Sequence, residues 1–224
     1  MSQTVRQLIC IDLDGPILDV SERYYQVYCD CLRLIGAPPL DKESYWELKR
    51  GKISEPDILK QTGAQRSDLL QAYIDARNKR IEVDDYLQFD QVWPGIPETL
   101  KLLRAGRTLT LVTMRISKEL LEQQLKRLKL RDSFDCVLSA GAELGANTRG
   151  ERKALLVRDC YENEEFTGWF VGDTETDVQS GRLLGLRSAA ITFGIRTVEH
   201  LNSVSPDVML HNPAEFQNWA RTLG

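Results

Sequence analysis

Six short apolar runs set the strongest limit on what this chain can become: LICI at 8–11, LTLV at 109–112, CVL at 136–138, WFV at 169–171, AAI at 189–191 and VML at 208–210. Each is rich in Val, Ile, Leu or other apolar residues along nearly its whole length. A strand with one wet face would alternate instead, so these runs read as strands buried on both sides, as in a parallel sheet. Amphipathic stretches such as 97–105 and 117–129 lie between the later runs. Parallel neighbours need a crossover between them, and a helix supplies it, so the alternation predicts an α/β fold built on a doubly wound parallel sheet.

The interval 20–92 breaks this pattern. ERYYQVYCDCLRLIG and SDLLQAYIDARNKRIEV carry helical periodicity, and no convincing strand lies between them. The interval is read as an inserted α-helical module that leaves the core after Asp19 and returns at Trp93-Pro94-Gly95, where the Pro-Gly pair punctuates the chain. The expected organisation is a core of 1–19 and 93–224 with a helical insertion at 20–92. A length of 224 residues suits one core with one sizeable insertion. The segment EFQNWARTL reads as a closing amphipathic helix.

Composition removes several classes of function. Apolar content of 42% and charged content of 28% fit a soluble globular protein, and no run approaches the roughly 20 apolar residues that span a bilayer, so no membrane partner is expected. The stretch MSQTVRQ has no apolar signal region, which leads to the expectation of a cytoplasmic protein. Five cysteines, odd in number and without a CxxC pair, suggest neither a disulfide framework nor a zinc site. Cys29 and Cys31, two apart in a helical pattern, point to different faces and do not make a shared ligand pair. A net charge of −4 with scattered Lys and Arg leaves no footprint for nucleic acid. A small-molecule substrate, handled by a monomer or homodimer, is the expectation. His200 and His211 lie away from every motif, which disfavours a histidine-based mechanism.

Open parallel sheets bind ligands beyond the carboxyl ends of their strands, so the residues directly after each run matter most. LICI runs into Asp12-Leu13-Asp14-Gly15, and WFV runs into Gly172-Asp173-Thr174-Glu175-Thr176-Asp177. If those strands are neighbours, as many as four carboxylates gather at one edge, an arrangement that is unfavourable without a cation. An all-oxygen ligand set suits Mg²⁺. LTLV ends in Thr113, and Lys153 opens a helical pattern in RGERKALLV; together they can cradle a phosphate. A carboxylate nucleophile, a second carboxylate as acid and base, a divalent metal and a cationic clamp are the parts that phosphoryl transfer needs.

In these motifs the chain resembles the haloacid dehalogenase superfamily of hydrolases, in its phosphoglycolate phosphatase-like branch. IDLDGPILD at 11–19 is similar to the family's first motif, LVT at 111–113 to its second, Lys153 to its third and VGDTETDVQSGRLLG at 171–185 to its fourth. The helical insertion looks like that branch's cap. The resemblance implies that Asp12 attacks phosphorus to give an aspartyl-phosphate, while Asp14 protonates the leaving alcohol and then activates water. It implies Mg²⁺ held by the carboxylates of Asp12 and Asp173 and the backbone carbonyl of Asp14. Asp177 would act through the outer shell or on Lys153, and Thr113 and Lys153 would hold the phosphoryl oxygens. Gly15, Met114 and Arg115 complete the expected substrate contacts, and Arg50, in the insertion, is a candidate for a substrate carboxylate or second phosphate. Three positions depart from the pattern: Pro16 replaces the usual Thr, Met114 stands where Asn is common, and Ala154 follows Lys153 in place of Pro. Pro16 and Met114 weaken the inference to phosphoglycolate as the substrate, and Ala154 makes the third motif the least typical of the four.

Taken singly, the same residues have plainer readings. Asp12 and Asp14 suit a turn after a strand, Asp173 and Asp177 suit a helix N-terminus, Thr113 suits a strand end, and Lys153 suits a solvated helix face. Their combination favours a Mg²⁺-dependent phosphatase of a small phosphorylated metabolite. A sugar-phosphate mutase with the same catalytic residues, or a catalytically retired relative acting as a binding protein, are the alternatives. Asp14 argues against a dehalogenase, whose branch lacks that second carboxylate.

Overall fold

The computed structural model describes residues 5–63, 67–140, 148–162 and 164–223; the outermost residues assigned to the core by sequence, 1–4 and 224, lie outside them. Eight strands are present among the described residues: β1 (Arg6–Ile11), β2 (Leu18–Asp19), β3 (Gln91–Val92), β4 (Thr108–Thr113), β5 (Cys136–Ser139), β6 (Phe166–Gly172), β7 (Arg187–Ile191) and β8 (Val208–Leu210). Six of them form one sheet in the order β5-β4-β1-β6-β7-β8, and every neighbouring pair is parallel. All six apolar runs lie in these strands. The chain builds outward from β1 to β4 and β5, then returns to the other side of β1 for β6, β7 and β8. Its direction of travel therefore reverses between β1 and β6, and a crevice opens at such a switch point beyond the carboxyl ends of the two strands.

Burial on both faces explains why these runs are so apolar. Leu8 and Cys10 of β1, with Val112 and Phe170 from its neighbours, pack against Ala154, Val157 and Leu184. Those three residues belong to α8 (Arg149–Cys160) and α9 (Glu175–Leu184), preceded in the chain by α1 (Ser21–Leu34), α2 (Lys42–Arg50), α3 (Glu55–Gln61), α4 (Ser67–Asn78), α5 (Asp84–Leu87), α6 (Ile96–Arg104) and α7 (Lys118–Arg127), and followed by α10 (Val198–Asn202) and α11 (Pro213–Thr222). Alternation sends Ile9 and Ile11 to the other face, where both are fully buried. Each such side chain contributes about 2–3 kcal/mol of hydrophobic stabilisation relative to exposure. α6 and α11 pack on each other and against β4 and β8 respectively.

The chain separates into two compact units, Met1–Leu18 with Val92–Gly224, and Asp19–Gln91. The two crossings fall within β2 and β3, two residues each, which pair with one another. The second unit holds α1 to α5 around a core of its own. Tyr28 and Tyr45 stack at its centre with ring centroids 4.1 Å apart, beside Ile58, Leu59 and Tyr73. Arg23, in the first turn of α1, meets Asp90, just before β3, at 3.1 Å with both side chains buried. The ends of this unit are thereby tied together. No helix among the described residues is long and apolar enough to cross a membrane.

Candidate active site

Asp12 is the first residue beyond β1, and Asp173 the first beyond β6. Because β1 and β6 are neighbours in register up to Ile11 and Val171, the two carboxylates emerge side by side at the switch point. The strand pairing extends to the backbone of Asp12, whose N–H donates to the Val171 carbonyl at 3.0 Å. Asp177 joins them from the first turn of α9, and one oxygen of each of Asp12, Asp173 and Asp177 lies within 4.8 Å of the others. All three residues are buried.

A cation is built into this cluster. Lys153, in the second turn of α8 and 1% exposed, donates to Asp177 Oδ1 at 2.6 Å and lies 2.8 Å from Asp12 Oδ2. The other oxygen of Asp177 accepts from the Thr174 N–H at 3.0 Å and hydroxyl at 2.7 Å, so this carboxylate caps α9 and anchors Lys153 at once. The capping box of α8, in which Thr148 and Glu151 exchange bonds, fixes the helix start that carries Lys153. Burial pushes the Asp12 carboxyl up to about 7, against the lowering effect of Lys153 and with a further rise from Asp177 and Asp14. Burial, then the charges of Asp177 and Asp12, hold Asp173 well above the usual carboxylate range. For Lys153 burial works downward but is outweighed by Asp12 and Asp177, and the ammonium is held above its ordinary value.

The fit of a divalent cation can be judged from these groups. Three carboxylates against one ammonium leave a formal charge of −2 in a buried site. Asp173 Oδ2 accepts from the Ile195 N–H, whereas Asp173 Oδ1 is buried without a hydrogen-bond partner. An unpartnered buried carboxylate oxygen costs free energy that a metal would recover. The space around it is kept by glycine: Gly15 has φ 103°, and a Cβ there or at Gly194 would overlap the Asp173 carboxylate. The donor set is oxygen, as Mg²⁺ prefers.

Asp14 stands apart from this cluster. Its carboxylate receives Arg115 Nη2 at 2.7 Å and Nε at 3.1 Å, a two-pronged pairing, and the Arg115 side chain is 5% exposed. Thr113, at the end of β4 and 1% exposed, accepts weakly from the Arg115 N–H at 3.4 Å. Met114 lies between them, half-buried. The turn carrying Gly15 and Pro16 is closed by N–H donors of Gly15, Ile17 and Leu18, so the N–H that proline lacks is not required for it. Trp93 buttresses the turn, its indole N–H donating to the Gly15 carbonyl at 2.8 Å.

The structure thus brings Asp12, Lys153, Asp173 and Asp177 together, with Gly15 beside Asp173, and joins Asp14 to Arg115. Arg50 closes α2 in the other unit and is described only there. Three contributors are not legible in the sequence: the Ile195 N–H, Gly194 and Trp93. A glycine just past the AAI run is the one available signal for the loop at 192–195, while a backbone donor leaves no side-chain trace.

Residues 9–191 match the family model described as haloacid dehalogenase-like hydrolase. A phosphoglycolate phosphatase of Synechococcus elongatus is 27% identical over 210 residues, covering 94% of this chain and 95% of that protein. A pyrophosphatase of Anoxybacillus flavithermus is 23% identical over 93% of this chain and 94% of its own. Among solved structures, a haloacid dehalogenase-like family hydrolase from Streptococcus pneumoniae superposes with a TM-score of 0.72 at 20% identity, covering 96% of this chain and 98% of that one, a likeness of fold. The match over most of the chain, on a sheet whose switch point gathers Asp12, Lys153, Asp173 and Asp177, makes this chain a member of the haloacid dehalogenase-like hydrolases.

Proposed function

We propose that this chain is a Mg²⁺-dependent phosphatase that hydrolyses a small phosphorylated metabolite through an aspartyl-phosphate on Asp12. The observation that carries the reading is the buried group of Asp12, Asp173 and Asp177 with the ammonium of Lys153 at the switch point of the sheet. Its relatives of similar length act on phosphate esters or pyrophosphate by their names, which supports phosphorus chemistry without choosing the ester. In this mechanism Asp12 Oδ attacks phosphorus, the bond to the alcohol oxygen breaks, and Asp14 gives that oxygen its proton. Water then attacks the aspartyl-phosphate, its proton returns to Asp14, and inorganic phosphate leaves with Asp12 regenerated. Lys153 and the Thr113 hydroxyl offset and orient the phosphoryl oxygens, as phosphoryl transfer demands. Asp12 and Asp173, with the Asp14 carbonyl, would hold Mg²⁺, whose charge offsets that of the transferring group.

The inserted unit is read as the cap that selects the substrate, with Arg50 its candidate anion ligand. Gly15 and Met114 complete the candidate substrate surface. The test is phosphate release from 4-nitrophenyl phosphate and a panel of phosphorylated metabolites, with and without Mg²⁺. Release that needs Mg²⁺ and falls more than about 10³-fold in Asp12→Asn is expected; undiminished release in that variant would remove Asp12 as nucleophile.

A further inference from the structure

We propose that Arg115 is a positioning residue for proton transfer by Asp14, rather than a ligand of the substrate. The inference rests on the phosphatase reading and deepens it. Both oxygens of the Asp14 carboxylate are engaged by one guanidinium, through Nη2 at 2.7 Å and Nε at 3.1 Å. A planar fork on a planar carboxylate fixes the rotation of the acid as well as its distance, which a single bond or a point charge does not. Arg115 is itself held: its side chain is 5% exposed, two residues beyond the end of β4. Asp14 is 19% exposed and follows the nucleophile, Asp12, by two residues. The orientation of the second carboxylate is thus imposed by Arg115.

The pairing suits both halves of the reaction. When Asp12 attacks and the phosphorus–oxygen bond breaks, the Asp14 proton passes to the departing alkoxide and a negative charge develops on Asp14, where the guanidinium meets it. When water attacks the aspartyl-phosphate, the same oriented carboxylate takes the water's proton and the cycle closes with no net change at Arg115. The charge contact favours the first half and opposes the second, in which Asp14 gives up its charge, so orientation is what Arg115 contributes to both. The benefit is largest where proton delivery matters most, with a poor alkoxide leaving group, and small where a nitrophenolate departs without help.

The experiment compares kcat/KM, which reports steps up to aspartyl-phosphate formation, for glycerol phosphate and 4-nitrophenyl phosphate in wild type, Arg115→Lys and Arg115→Met, with Mg²⁺ saturating. The expected result is a loss on the alkyl ester at least about tenfold greater than on the aryl ester in Arg115→Met, with Arg115→Lys between wild type and Arg115→Met. In the Asp14→Asn background, Arg115→Met should cost the alkyl ester less than about threefold more. Equal losses on both esters, a loss confined to KM, or full additivity with Asp14→Asn would each overturn the positioning role; a KM effect alone would return Arg115 to substrate binding. Should Arg115→Met fail to fold, the Arg115→Lys ratio between the two esters decides. A wild type inert toward every ester would overturn the phosphatase reading itself, and this inference with it.

Discussion

Lys153 is set directly between the carboxylates of Asp12 and Asp177, and its loss would strip both of this counter-ion in the protein interior. Removing one partner of a buried ion pair costs about 3–5 kcal/mol, because the charge that remains has lost both water and its counter-ion. Lys153→Met, which keeps the length of the side chain, is therefore expected to lower stability by about 3 kcal/mol in urea unfolding at about pH 8 with a chelator present. A loss under about 1 kcal/mol would show that the carboxylates are already relieved in some other way. Gly15 offers a complementary test from the backbone. At φ 103° a Cβ is strained by about 1 kcal/mol or more, and here it would also intrude on the Asp173 carboxylate. Gly15→Ala is expected to weaken Mg²⁺ binding at least about tenfold in isothermal titration, with only a modest fall in melting temperature. Unchanged Mg²⁺ affinity would mean that Asp173 can turn away without loss and that the open space beside it is incidental.

At the scale of elements, each terminus that holds the site has a local cause. Thr148 and Thr174 both open helices through capping boxes, and in the second case the reciprocal carboxylate, Asp177, is also the partner of Lys153. The inserted unit closes differently, through the buried pair Arg23–Asp90 where its two ends meet. Asp90→Ala is expected to cost about 3–5 kcal/mol in urea unfolding, whereas the apolar pair Arg23→Met with Asp90→Leu should recover most of that loss. Failure of the double variant to recover would assign the pair a geometric role at the two crossings beyond charge compensation. The elements of the sheet are legible in sequence because parallel strands buried on both faces must be apolar throughout, as Leu8, Ile9, Cys10 and Ile11 are. β2 and β3 are not: two residues are too few to show periodicity, and Leu18–Asp19 and Gln91–Val92 are joined only by a pairing between distant stretches of chain. The pair of Asp14 and Arg115 is hidden for the same reason, since 101 positions separate them and nothing in either local sequence names the other. Cys136 and Cys160, for which the sequence suggests no disulfide framework, bring their sulfurs to 3.3 Å by the same kind of distant convergence.

For the molecule as a whole, the switch point concentrates acid, and that has a consequence for stability. Asp12 and Asp173 are legible in the sequence as carboxylates close behind apolar runs. Their burial, and the unpartnered Oδ1 of Asp173, depend on the sheet placing β1 beside β6 and on the loop at 192–195, which no local pattern announces. Because the folded protein raises both carboxyls above their unfolded values, to about 7 for Asp12 and well above the ordinary range for Asp173, it holds more protons there than the unfolded chain does between those values. The stability Asp12 lends is complete below the unfolded value near 3.8 and is lost as pH rises through about 7, and that of Asp173 is lost in the same direction. The metal-free protein is therefore expected to melt lower at about pH 8.5 than at about pH 5.5. Mg²⁺ binds the ionised carboxylates and must displace protons to do so at about pH 5.5, but meets them already ionised to a greater degree at about pH 8.5. At roughly a hundredfold excess over its dissociation constant, Mg²⁺ adds about 2.7 kcal/mol, a rise of roughly 5–10 °C for a chain of this size. Thermal melts at both pH values, with chelator and with a fixed Mg²⁺ concentration that saturates at the higher pH, should show that rise at the higher pH and less than about half of it at the lower. An equal rise at both would mean that the cation binds elsewhere than at the buried carboxylates beyond β1 and β6.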